Sequence, residues 1–117
     1  MHISVTLDCV DPEALAEFWT QALDYCGKEL REPYLMLIPK EGDSAPGLCL
    51  QRVPESKEGK NRMHLDLNVD NVDETMTRLI ALGATRRSDE ILYYEHRWFV
   101  LADPEGNEFC VIGRTDK

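Results

Sequence analysis

The chain lacks any Cys-x-x-Cys pair, any cluster of histidines and any excess of basic residues. Each absence removes a class of function. Cys9, Cys26, Cys49 and Cys110 stand far apart, and with only three histidines they do not spell out a structural zinc site. Three of the four lie in apolar, strand-like contexts and read as reduced core thiols. Lys and Arg total 13 against 22 Asp and Glu, a net charge of −9, which repels nucleic acid. No apolar run approaches the roughly 20 residues that cross a bilayer, and no basic segment leads into an apolar one at the N-terminus. The expectations are no nucleic-acid partner, no membrane and a cytoplasmic protein. With 117 residues, 43% hydrophobic and 30% charged, residues 1–117 read as one domain.

What the sequence has instead is a faint duplication. Ile3-Ser4-Val5-Thr6-Leu7-Asp8-Cys9 and Met63-His64-Leu65-Asp66-Leu67-Asn68-Val69 alternate apolar and polar residues in the same phase, sixty positions apart. Each runs into an acidic turn and a helical pattern. Asp11 is placed to cap the first helix, with Pro12 in its first turn and a stripe of Leu15, Phe18, Trp19, Ala22 and Leu23. The second helix is expected over about 72–82 with Val72, Met76, Leu79 and Ile80 as its stripe and Gly83 to stop it. Gln51 and Cys110 make a later pair, fifty-nine residues apart. A hairpin around Glu32-Pro33 and a strand at about 48–53 complete the first half. Strands at about 84–87, 97–102 and 108–112 complete the second, the last two joined by the turn Asp103-Pro104-Glu105-Gly106-Asn107. The reading is an α+β domain of two tandem βαβββ modules, one over about 1–56 and the other over about 57–117.

Alternation sends Ile3, Val5, Leu7 and Cys9 toward one helix and Met63, Leu65, Leu67 and Val69 toward the other. The opposite faces then carry Ser4, Thr6 and Asp8, and His64, Asp66 and Asn68. A twisted sheet with helices on one side offers its other side as a trough. Cys49 and Gln51 share one face of their strand, and Glu108, Cys110 and Ile112 share one face of the last, but the pattern leaves open which faces look inward.

The strings Asp11-Pro12-Glu13-Ala14-Leu15-Ala16-Glu17-Phe18-Trp19, Gln51-Arg52-Val53-Pro54-Glu55, Lys60-Asn61-Arg62-Met63-His64-Leu65-Asp66-Leu67 and Asp103-Pro104-Glu105-Gly106-Asn107-Glu108-Phe109-Cys110 carry a resemblance over essentially the whole chain. In this order they resemble the glyoxalase/bleomycin-resistance/extradiol-dioxygenase superfamily, also called vicinal oxygen chelate, and within it the glyoxalase-like domain branch. The resemblance implies paired modules forming a half-open barrel with a cleft, within a homodimer. It also implies that metal-dependent members hold a divalent ion with residues from the first and last strands of each module. Carried over by position, that set is Ser4, Gln51, His64 and Cys110. His64 is a good ligand and Gln51 a neutral one, whereas Ser4 is poor and Cys110 replaces a carboxylate that hard ions prefer.

The expected function is small-molecule binding without a complete metal site and with no cofactor, a divalent metal being the alternative. The ligand-binding residues are Ser4, Thr6, Gln51, His64, Asp66, Trp98 and Cys110. His64 is the candidate catalytic residue, because imidazole titrates near neutrality, and Asp66 on the same face is placed to orient it. Two other readings stand beside this one: a metal-dependent lyase, isomerase or dioxygenase, and an antibiotic-sequestering resistance protein. Lys57, Lys60 and Arg62 form a local positive patch beside the strand of His64.

Overall fold

The computed structural model describes residues 1–116 of the chain. Two compact units form, one from Ser4–Met63 and the other from His64 onward together with Met1–Ile3. The first contains β1 (His2–Cys9) from Ser4 on, α1 (Pro12–Leu23), β2 (Gly27–Arg31), β3 (Tyr34–Ile38) and β4 (Leu48–Arg52). β1 runs parallel to β4, β4 antiparallel to β3, and β3 antiparallel to β2. The parallel pair is possible because α1 and the β2–β3 hairpin fill the crossover between β1 and β4.

The second unit repeats that logic with β5 (Met63–Asn68) from His64 on, α2 (Val72–Ala81), β6 (Thr85–Arg86), β7 (Ile91–Tyr93), β8 (His96–Ala102) and β9 (Glu108–Arg114). β5 runs parallel to β9, which pairs antiparallel with β8, and both β6 and β7 pair with β8. Asn68 donates from Nδ2 to the carbonyl of His2 at 3.1 Å, tying the start of the chain to this unit. β7 is the strand that alternation did not predict. It is three residues long, and its turn places Tyr94 at φ 51, in a region where Gly or Asn is the usual signal.

Both helices begin as their caps dictate. Asp11 Oδ1 accepts from Ala14 N at 3.2 Å, and sixty residues later Asn71 Oδ1 accepts from Glu74 N at 3.0 Å. The stripes are narrower than expected. In α1, Pro12 and Ala16 are buried and Leu15 and Trp19 pack on the core, but Phe18 is 60% exposed and Leu23 40%. In α2, Val72, Met76 and Leu79 reach the core, and Ile80 does not.

Each unit has its own core. Cys9, Ala16, Leu35, Leu37, Leu48 and Leu50 form the first, with Val5 and Leu7 against them. Val72, Met76, Phe99, Leu101 and Val111 form the second, with Leu67 and Val69 alongside. The expectation that whole strand faces bury is corrected at their beginnings, because Ile3, Met63 and Leu65 stay about half exposed. The reason is length. The twelve residues of α1 span roughly 18 Å against roughly 26 Å for the eight of β1, and the ten of α2 roughly 15 Å against roughly 20 Å for the six of β5, so each helix is shorter than the strand before it. No helix among the described residues is long and apolar enough to cross a membrane.

Candidate functional site

The registers settle which faces of β4 and β9 carry the polar stripes. In the first unit Leu48 pairs with Val5 and Leu50 with Leu7, all on the core side. Cys49 therefore lies beside Thr6 and Gln51 beside Asp8, on the face turned away from α1. Ser4, Thr6 and Gln51 share that face, joined by Tyr34 opposite Gln51 and Met36 opposite Cys49. Thr6 is buried at 5% exposure, which a strand residue on a bare solvent face would not be.

In the second unit Leu67 pairs with Val111 in the core, and Asp66 pairs with Cys110 on the other side. His64, Asp66 and Cys110 thus share the face away from α2. Trp98 lies on the same face one row over, since it pairs with Ile112 as Val100 pairs with Cys110. The Trp98 ring meets Tyr93 edge-on at 6.4 Å between centroids. Glu108, the acidic group on this face of β9, sits exposed at the start of the strand opposite Ala102.

Within this unit the structure brings three of the expected residues together. One ligand atom each from His64, Asp66 and Cys110 lies within 4.8 Å of the other two. Asp66 is only 5% exposed and Cys110 7%. A carboxylate taken out of water needs a partner, and His64 Nδ1 stands 3.2 Å from Asp66 Oδ1. Nδ1 is sealed from solvent, and the exposure His64 retains belongs to the rest of its ring. Hydrogen bonding to Asp66, then to Cys110, outweighs burial and pushes the His64 pKa up from 6.5 to about 10. The sequence pattern left Asp66 either orienting His64 or solvated; its burial excludes the solvated state.

The same residues test the metal expectation. A hard divalent ion needs oxygen ligands and negative charge. Here the buried carboxylate stands against the imidazole, and Cys110 offers sulfur. The nitrogen, oxygen and sulfur donors of His64, Asp66 and Cys110 suit a borderline ion such as zinc better than a hard one.

Register also revises the internal duplication. With Thr6 and Asp66 as counterparts, the residue beside Thr6 is Cys49 and the residue beside Asp66 is Cys110. Cys49, and not Gln51, is therefore the structural counterpart of Cys110. The positive patch is partly consumed by its own segment, since Lys57 donates to the carbonyl of Gly59 and Arg62 to that of Glu55. An open groove of about 420 Å³ lies elsewhere, between α1 and β2, lined by Ala16, Glu17, Thr20, Gln21, Cys26, Gly27 and Lys28. It contains none of the expected site residues.

Comparison with known proteins agrees with this architecture. A family model for a glyoxalase-like domain matches residues 4–112. A Legionella pneumophila structure described as an NAD-dependent benzaldehyde dehydrogenase superposes with a TM-score of 0.73 at 19% identity, covering 97% of this chain and 99% of that one. Methylmalonyl-CoA epimerase from Streptomyces coelicolor gives 0.72 at 20% identity, covering 98% of each chain. A glyoxalase/bleomycin resistance protein/dioxygenase superfamily member from Vibrio splendidus 12B01 gives 0.66 at 17%, covering 96% of this chain and 97% of that one. At such identities the likeness is one of fold. No curated protein matches the sequence.

Proposed function

The chain belongs to the glyoxalase-like domain family, and from that premise we propose that it binds a small molecule through the polar strand faces carrying His64, without a complete metal site. The observation that carries the reading is the buried carboxylate of Asp66 against His64 Nδ1. An imidazole held this way is a cationic hydrogen-bond donor, suited to a carbonyl or carboxylate oxygen. Asp66 fixes the ring, His64 donates or delivers a proton, and Trp98 offers a ring surface for an unsaturated ligand. The first unit has a polar strand face of its own, with neutral hydrogen-bonding groups on Ser4, Thr6 and Gln51. We place the protein in the cytoplasm as a homodimer.

Two measurements on protein purified without chelator test this. Elemental analysis should find divalent metal well below one equivalent. The His64 ring signals in NMR spectra should shift saturably when small carboxylic acids and carbonyl compounds are titrated in, and the response should weaken in Asp66→Asn. Stoichiometric metal that disappears in His64→Ala overturns the reading and moves the metal-dependent lyase, isomerase or dioxygenase ahead. Tight binding of a bulky antibiotic without turnover replaces it with sequestration.

A further inference from the structure

We infer that Cys110 is a nucleophile that adds reversibly to the carbonyl carbon of a small aldehyde, with His64 passing the proton to the carbonyl oxygen. The inference deepens the small-molecule reading and rests on it. Three groups in this cluster have complementary chemistry: a thiol, an imidazole and a carboxylate, their reactive atoms all within 4.8 Å. A nucleophile beside a proton-transferring imidazole that a third group orients is a recurring arrangement for covalent addition. The sheet, and not a loop, sets the geometry here. Asp66 and Cys110 are partners across adjacent parallel strands, and His64 is one row away on the same face. Rigid elements hold reacting groups more closely than loops do.

The other thiols lack this setting. Cys9 and Cys49 are as buried as Cys110, at 5% and 8% exposure against 7%, yet neither belongs to a cluster with an imidazole among the described residues. Burial pushes the Cys9 thiol up, toward the unreactive form. Cys26 is exposed, and its Sγ donates to the carbonyl of Pro39 at 3.6 Å.

The chemistry balances without a co-reactant. His64, already protonated, gives its proton to the carbonyl oxygen and takes up the Cys110 proton in its place, while a sulfur electron pair forms the new C–S bond. The π pair of the C=O bond moves to oxygen, and the His64 proton closes the step as an O–H. The product is a thiohemiacetal, with nothing oxidised and nothing leaving, so the reverse path regenerates the aldehyde. A carbonyl fits the spacing, with sulfur about 3–3.5 Å from carbon at the start of attack and the imidazole about 3 Å from oxygen.

The probe is propionaldehyde carrying 13C at the carbonyl carbon, titrated into the full-length protein. The expected result is a protein-bound signal in the sp3 region, absent in Cys110→Ser and in Cys110→Ala, and at least about tenfold weaker at equal aldehyde in His64→Gln and Asp66→Asn. A 15N–1H spectrum of each variant confirms that it is folded. A saturable shift of the His64 ring with the carbonyl carbon unchanged overturns covalent addition and leaves the binding reading intact. No response to the aldehyde, with carboxylic acids still shifting His64, overturns the aldehyde assignment alone. Silence toward every compound removes both readings. An sp3 signal that survives Cys110→Ser and disappears in Cys26→Ser also overturns the inference, since it reports only the exposed thiol.

Discussion

The His64–Asp66 contact makes stability depend on pH in a defined direction. The folded pKa of His64, about 10, lies above its ordinary value of 6.5. The folded state therefore holds the proton more tightly, and the pair's contribution is complete below about pH 6.5. It is lost as pH rises toward 10. Urea midpoints measured from pH 6 to 10 should fall across that window in wild type and fall less steeply in His64→Gln. A wild-type midpoint that stays level, or one that rises, contradicts the pairing. Gly113 offers a second residue-level test. A Cβ there would stand 2.5 Å from Val72 Cγ2 and 3.2 Å from the carbonyl of Val69, where β9 passes under the first turn of α2. Valine is stiff at χ1 and cannot swing away freely. Gly113→Ala should therefore cost about 1–3 kcal/mol, the range for overpacking, whereas replacing Gly42, with open space around it, gives no clash and strains only the backbone at φ 84.

At the scale of elements the duplication is physical as well as sequential. Glu13 and Asp73 occupy the first turns of α1 and α2, sixty residues apart, and each meets an arginine from a strand of its own unit: Arg52 at 2.9 Å and Arg97 at 3.1 Å. Arg97 also lies over the Phe99 ring at 5.6 Å and pairs with Glu90 at 2.6 Å. Acidic groups at helix starts also face the positive end of the dipole. The caps should matter more than these exposed ion pairs. Asn71→Ala should cost about 1 kcal/mol, read from denaturant midpoints. Arg97→Met, which keeps the aliphatic stem, should destabilise only at low salt. Much of this was legible because caps, proline and turn chemistry are local. The Asp103 turn is an example: its carboxylate accepts from Glu105 N, Asn107 N and Asn107 Nδ2, each at 2.9 Å, as the string Asp103-Pro104-Glu105-Gly106-Asn107 leads one to expect. What escaped were non-local quantities. The partner of Cys110 across the duplication depends on strand register, and register is set by pairing between β1 and β4 and between β5 and β9, which alternation alone does not determine. Burial of Asp66 likewise depends on its cross-strand neighbours, and β7 on a turn without its usual glycine.

At the scale of the molecule the question is what covers the apolar residues that the helices leave bare. Ile3 and Leu65, both in the second unit, are 46% and 49% exposed. Both are the early strand residues beyond the reach of a helix. Exposed large apolar side chains are ordinary when scattered, but strand positions in the core-facing phase are made to be covered. A second copy of the chain can cover them with the same residues by twofold symmetry, the commonest arrangement for small homo-oligomers. Light scattering should therefore give about twice the chain mass of 13.4 kDa. Leu65→Lys, which puts a charge on that face without touching His64 or Asp66 on the other, should shift the species toward monomer while the far-ultraviolet dichroism stays unchanged. A wild-type mass equal to one chain at the highest concentration reached would count against the dimer. A dimer that persists in both Leu65→Lys and Ile3→Lys would place its interface on another surface, with the exposed Phe18 of α1 the next position to charge.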